Sequence, residues 1–406
     1  MDLITDLIKN EEKRQKETLM LIPSENISWP EVKAAVGSCL SQKYAEGYPG
    51  NRYYQGMENV DLIEKIAIDR AKKLFKVAHA NVQPYSGSVA NTAVFFALLD
   101  PGDTLMSLSL ADGGHLSHGR PKITFSGRYF NSVQFGVDLS KKDWFDFEKI
   151  EKLARQEKPK LIIVGTTAFP REIGWKKFAK IADKVGAYLV ADISHVAGLV
   201  AGGAQSSPVA FAHVVTTTTH KTLRGPRGAM IIVTKKGVKK DNDLPKKIDQ
   251  AVFPGLQGGP QVNTIAGIAI ALKKASKPEF KKYARQVVDN AKVLAEELAK
   301  KGFNIVTGGT DNHIVLVDLR NKGVNGARAA EMLEKAGIVV NKNAVIGRTD
   351  SVKTPWGIRL GTPAVTVLGM RRKEMKEIAA LINDALTDVK PTIILEKISC
   401  LITKRR

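Results

Sequence analysis

Short runs rich in β-branched and small apolar residues alternate along this chain with stretches whose apolar positions recur at helical spacing. "ANVQP" (80–84) leads into "SGSVANTAVFFALL", and "DTLMSLSL" (103–110) follows. "KLIIVG" (160–165) precedes the amphipathic "KKFAKIADKVG" (176–186); then come "AYLVAD" (187–192) and "HVVTTTT" (213–219). Strands that are apolar throughout, rather than at every second position, are buried on both faces. In alternation with helices they predict a largely parallel sheet covered on both sides, an α/β fold. The long helical pattern at 277–302 marks a boundary. Beyond it, strands are predicted near 312–319 and 337–343 and helices near 326–337 and 372–389, forming a smaller α+β unit. The start, "MDLITDLIKNEEKRQKETLMLI", reads as an amphipathic helix, since it carries acids and lacks the apolar centre of a signal peptide. The expected division is an N-terminal helix or arm over 1–20, a large domain over 21–276, and a linking helix with a small C-terminal domain over 277–406.

Composition narrows the class. A chain of 406 residues suits two domains of ordinary size. No apolar run approaches the roughly 18–20 residues that span a bilayer, so no membrane partner is expected. Two cysteines, Cys39 and Cys400, cannot form a disulfide framework and point to a reducing, cytoplasmic compartment. The net charge of +21 changes the picture more. It favours polyanionic partners, RNA among them. The basic clusters at 234–247 and 370–376 are not interleaved with aromatics, however, and a solvated lysine-rich surface is the plainer reading.

The stretch "VVTTTTHKTLRGPRGAMIIV" (214–233) carries the candidate chemistry. It places Lys221 at the exit of a strand, where open α/β sheets bind ligands. Alone, such a lysine is an ordinary solvated strand end. Asp192 ends another strand and His195 follows in the turn; singly, they read equally well as a helix cap and a turn histidine. Ser86, Gly87 and Ser88 lie between a strand and a helix start, which is either a common N-cap or an anion site. His115 follows two glycines in a loop. Together the parts describe one cofactor. A lysine amine condenses with an aldehyde. A carboxylate holds a pyridinium nitrogen protonated. A helix start takes a phosphate, and a ring stacks above. That cofactor is pyridoxal 5′-phosphate. There is no GxxxxGK[ST], no GxGxxG and no plausible zinc site.

Longer motifs then join these residues: "LIPSEN" (21–26), "KYAEGYPGNRYYQGMENVD" (43–61), "NVQPYSGSVAN" (81–91), "GGHLSHG" (113–119), "VADISHVAGLVAGG" (190–203), "FPGLQGGP" (253–260), "VNKNAV" (340–345) and "GIRLGTPA" (357–364). On these the chain, from about residue 5 to 390, is similar to the serine hydroxymethyltransferases, a family of fold-type-I (aspartate aminotransferase-like) pyridoxal phosphate enzymes. The resemblance implies reversible transfer of the serine hydroxymethyl carbon to tetrahydrofolate, leaving glycine. It implies that Lys221 carries the internal aldimine, Asp192 pairs with the ring nitrogen, and His115 stacks. Ser86, Gly87 and Ser88 would bind the phosphate, and Thr167 would contact the ring oxygen. His195 would lie between ring hydroxyl and substrate, with His220 and Thr218 flanking the lysine. Arg359 would clamp the substrate carboxylate with Ser24 nearby, a role suited to a guanidinium fork. Glu46 would be the acid/base, with Tyr54 beside it. Tyr44, Glu46, Tyr54, Gln257, Gly258 and Gly259 would reach in from a second subunit of a homodimer with shared sites. Leu110, Gly114, Leu116 and Asn343 would line the pteridine pocket.

The chain departs from the family pattern at Pro23, Asn263, Ile346 and Trp356. The last two border the pteridine pocket, which leaves a modified pterin open as carrier. The alternatives are a folate-independent aldolase acting on threonine or allo-threonine, and an RNA-binding role of the basic surface.

Overall fold

The computed structural model describes residues 2–348, 354–387 and 389–403; residues 349–353, between the departures at Ile346 and Trp356, lie outside the described residues. By its internal contacts the chain forms two units. One comprises residues 28–167 and 172–284, the other residues 1–27, 168–171 and 285–406.

The larger unit is built on a sheet of seven strands: β1 (His79–Asn81), β2 (Thr104–Leu108), β3 (Asn131–Phe135), β4 (Leu161–Gly165), β5 (Tyr188–Asp192), β6 (Val214–Thr218) and β7 (Ala229–Val233). Their order is β1-β7-β6-β5-β4-β2-β3. All pairs are parallel except those of β7, which runs antiparallel to both its neighbours. Every residue of β4, β6 and β7 is buried, which is why these strands are apolar or threonine throughout. Strand β3 has no such run; Asn131, Ser132 and Gln134 face partly outward because it is the edge. Phe95 and Val94 of the helix Gly87–Leu98 pack with Leu161, Ile163, Val190, Val214 and Ile231 of the sheet. Truncating one such side chain to alanine costs about 2–5 kcal/mol.

A short hairpin, Gly47–Tyr48 with Asn51–Arg52, leaves this core and is held by one buried guanidinium. Arg52 Nε donates to Asp61 at 2.9 Å and Nη2 to Glu64 at 2.6 Å, while Nη1 donates to the carbonyls of Ala45 and Gly47, both at 2.8 Å. Gln83 donates to Glu64 and to the same Gly47 carbonyl.

The smaller unit has an antiparallel sheet of four strands, β8 (Asn304–Ile305), β9 (Ile314–Asp318), β10 (Asn341–Asn343) and β11 (Gly357–Gly361), in the order β8-β9-β11-β10. Val315, Val317, Ile358 and Leu360 meet Leu294, Leu298, Ile378 and Ile382 of its helices. The apolar run at 337–343, predicted as one strand, is divided. Ile338 and Val339 pair in parallel with Leu19 and Met20, and only Asn341–Asn343 joins the sheet. Ala168–Arg171 is embedded in this unit although its sequence neighbours belong to the other. Phe169 is fully buried. Arg171 donates to the Thr307 carbonyl at 2.6 Å, the Thr307 hydroxyl at 3.0 Å and Asp311 at 2.9 Å. The Pro170 and Phe169 carbonyls accept from Asp311 N–H and Asn312. The helix Leu3–Glu17 forms as predicted, but none of its residues is buried; Leu3, Ile4, Leu7 and Ile8 are all exposed. Among the described residues no helix is long and apolar enough to cross a membrane.

Candidate active site

Within the larger unit, the predicted residues gather beyond the carboxyl ends of β1, β2, β4, β5 and β6, the usual ligand position of open α/β sheets. Lys221 follows β6 by three residues, and its Nζ donates to the Thr218 hydroxyl at 3.1 Å. Thr218 is itself fixed, its N–H donating to Ser194 Oγ at 3.1 Å and its hydroxyl to the Ser194 carbonyl at 3.3 Å. Gly87 opens the neighbouring helix so close to this point that a Cβ there would lie 2.7 Å from Thr218 Cγ2. Ser86 caps that helix by accepting from Val89 N–H, and Ser88 is exposed on its first turn.

Asp192, the last residue of β5, is buried. Its carboxylate accepts from His118 Nε2, Asn91 Nδ2 and the Ser194 N–H, each at 2.9 Å. Burial alone would raise its pKa. The donors, His118 foremost, outweigh that and hold it below the ordinary aspartate range, so the group stays ionised at neutral pH. Asn91 also donates to Ser117 Oγ at 2.9 Å and accepts from the Thr216 hydroxyl at 2.7 Å.

His115 and His118 bracket one turn of 3-10 helix, Leu116–His118. Their rings meet edge to face with centroids 5.7 Å apart. Burial, then the neighbouring His118, pushes the His115 pKa down to about 4. Thr167, after β4, steadies this loop: its N–H donates to the Gly113 carbonyl at 2.7 Å and its hydroxyl to Gly114 at 3.1 Å. Leu110 is half-buried in the same loop, and Leu116 is exposed at its crest. His195 is buried and its carbonyl accepts from the Thr222 hydroxyl. His220, beside Lys221, has a buried Nδ1 with no hydrogen-bond partner among the described residues, and burial pushes its pKa down to about 3.

Glu46 lies on the hairpin held by Arg52. The Tyr54 hydroxyl donates to it at 3.2 Å and the Tyr44 hydroxyl at 3.5 Å. Gly258 and Gly259 pass directly beneath; a Cβ on Gly258 would be 3.0 Å from Glu46 Oε1. Tyr85 ties this strip back towards Ser86, its hydroxyl donating to Gly259 and its N–H to Gln257.

In the smaller unit, Arg359 sits at the centre of β11. Its Nε donates to Asn341 at 3.0 Å, and burial lowers its pKa to about 10. Asn343 donates to the Ala344 carbonyl, and Ser24 is half-buried. Two of the departures acquire a local account. Pro23 packs on Gly361, where a Cβ would come within 2.5 Å of it. Asn263 donates to the Val36 carbonyl at 2.7 Å, satisfying an open carbonyl in the last turn of the helix Pro30–Val36. Trp356 is partly exposed and its carbonyl accepts from Leu319, and Ile346 is fully buried; nothing in the structure explains either choice.

Sequence reasoning missed His118, Asn91, Ser117, Ser194 and Thr216. The available signal was His118 itself, three residues after His115 in the same motif.

The groups of the larger unit fit pyridoxal phosphate. An amine stands near a capped helix start, an ionised buried carboxylate suits a protonated ring nitrogen, and a buried imidazole nitrogen has no partner among the described residues. Residues 2–382 match the family model described as serine hydroxymethyltransferase. The chain is also 54% identical over 388 residues to a serine hydroxymethyltransferase of Acidothermus cellulolyticus, covering 95% of this chain and 88% of that protein.

Proposed function

The chain belongs to the serine hydroxymethyltransferase family, and from that premise we propose which of its residues perform the transfer. The reaction is the reversible passage of the serine hydroxymethyl carbon to tetrahydrofolate, leaving glycine, on a pyridoxal phosphate enzyme. When bound, the cofactor supplies an electron sink for charge developing on the amino acid.

Lys221 contributes the amine that anchors the cofactor aldehyde. Thr218 and His220 stand beside it and hold its orientation. Asp192 keeps a proton on the ring nitrogen. Ser86, Gly87 and Ser88 bind the phosphate through a capped helix start. His115, Thr167 and His195 take the ring face, ring oxygen and substrate side. Arg359 binds the substrate carboxylate bidentately, with Ser24 beside it. Glu46 moves the proton at the serine hydroxyl, with Tyr54 steering it. Leu110, Gly114, Leu116 and Asn343 line the folate site. The observation that carries this reading is the ionised, triply hydrogen-bonded Asp192 in the same strand-end cluster as Lys221.

Tyr44, Glu46, Tyr54, Gln257, Gly258 and Gly259 serve the site of a second copy in a cytoplasmic homodimer. The exposure of Tyr44 and Tyr54, large rings at 58% and 42%, supports this. A polyanion such as RNA is a further partner. Lys152, Lys158, Lys176, Lys180, Lys235 and Lys239 have no ion-pair partner among the described residues. Lys158 caps the end of one helix and the others lie on helices joined by the Lys184–Glu151 and Lys236–Asp183 pairs.

The test is the visible absorbance of the protein with pyridoxal phosphate. A band present in the wild type and absent in Lys221→Ala is expected, with a red-shifted band only when glycine and tetrahydrofolate are both added. A cofactor band without folate response, together with allo-threonine cleavage, would favour the aldolase reading instead.

A further inference from the structure

Around Asp192 the hydrogen bonds close into a ring that the reading above does not use. His118 Nε2 meets Asp192; Asp192 accepts from Asn91; Asn91 donates to Ser117 Oγ; Ser117 Oγ meets His115 Nδ1 at 2.8 Å; and the His115 N–H returns to His118 Nδ1 at 3.3 Å. The directions of these bonds can be read off. A peptide N–H only donates, so His118 Nδ1 carries a lone pair and its proton sits on Nε2, aimed at Asp192. The Ser117 N–H likewise donates to His115 Nδ1 at 3.1 Å, so the Ser117 hydroxyl also donates there. That leaves Ser117 Oγ to accept from Asn91, as the amide orientation requires. The Asn91 carbonyl oxygen takes the Thr216 hydroxyl. Every donor in the ring finds an acceptor, with one proton arrangement.

We propose that His118 is a positioning residue for the transfer, an Nε2–H donor that fixes the Asp192 carboxylate and locks it to the orientation of His115. His118 is 1% exposed, so water cannot substitute as donor to Asp192. Its return bond comes from the backbone of His115, so a shift of Asp192 would turn the His115 loop with it. The carboxylate for the ring nitrogen and the imidazole for the ring face thus form one rigid element rather than two independent contacts. Asn91 repeats the connection on the other side through Ser117.

The proposal rests on Lys221 and Asp192 being the pyridoxal phosphate site, and the experiment separates the two. Pyridoxal phosphate affinity is measured for the full-length wild type, His118→Leu and His118→Gln; glutamine retains an N–H donor of similar reach. His118→Leu is expected to lose about tenfold or more, with His118→Gln recovering to within about threefold of wild type, the scale of one donor to a buried charge. A Leu variant within threefold of wild type, or a Gln variant as weak as the Leu variant, overturns it. The tautomer is read separately from the ring nitrogens of His118 by NMR of the cofactor-free wild type, which needs no variant to fold. Protonation at Nδ1 there also overturns the proposal. Wild-type protein that takes up no pyridoxal phosphate would instead bring down the site reading, while the nitrogen spectrum would still decide the tautomer.

Discussion

Arg52 shows how one side chain can serve a site it does not enter. Its guanidinium grips the carbonyls on either side of Glu46 and is neutralised by Asp61 and Glu64, so the hairpin has one conformation in which to present that carboxyl. Arg52→Leu strands Glu64 as a buried charge; a loss of about 3–5 kcal/mol in urea unfolding is expected. Arg52→Lys should rescue little of it, because an ammonium cannot match the fork. A second prediction concerns pH. In the cofactor-free protein, burial pushes His115 and His213 down to about 4 and His220 to about 3, from an ordinary 6.5. These groups are depressed, so the unfolded chain takes up their protons first as pH falls through 6.5. Their contribution is complete above that pH and is lost on descending towards the folded values. The urea midpoint should fall accordingly, and His213→Asn should make the fall shallower. The residues legible in the sequence were those whose chemistry announces itself at strand ends: Lys221, Asp192, His115. Asn91 was not legible. It lies 101 positions from Asp192 in an apolar helix, and only the fold brings its amide to that carboxylate.

At the level of elements, the pattern of apolar positions located the buried strands well because both their faces are covered. It failed where an element is judged by its neighbours. The edge strand β3 carries polar residues and gave no run, and the stretch after Gly337 looked like one strand though it serves two sheets. The helix Leu3–Glu17 is the opposite case. Its amphipathic pattern is plain, yet among the described residues Leu3, Ile4, Leu7 and Ile8 stay exposed. A second copy of this chain is the expected cover, so Leu7→Glu should shift sedimentation towards monomer while leaving the far-ultraviolet spectrum intact. Unchanged sedimentation would remove this helix from the interface.

For the whole molecule, the excess of 62 basic over 41 acidic residues is a property no local motif contains. If the unpaired lysines bind RNA, the affinity should drop steeply between low and moderate salt, because bound counterions are released with each phosphate neutralised. A flat salt response would assign the charge to solubility alone. The path of the chain was equally hidden from local pattern, since Ala168–Arg171 reads simply as the loop after β4. In the terms of binding, that loop is a short peptide ligand whose receptor is made of residues 285–406, kept in place by an effective concentration that both tethers supply. Recombination between relatives therefore has a grammar. A graft of residues 285–406 alone would carry a receptor into a chain bearing a foreign ligand, and leave Leu19 and Met20 behind as well. A graft that also brings 1–27 and 168–171 moves the lock together with its keys.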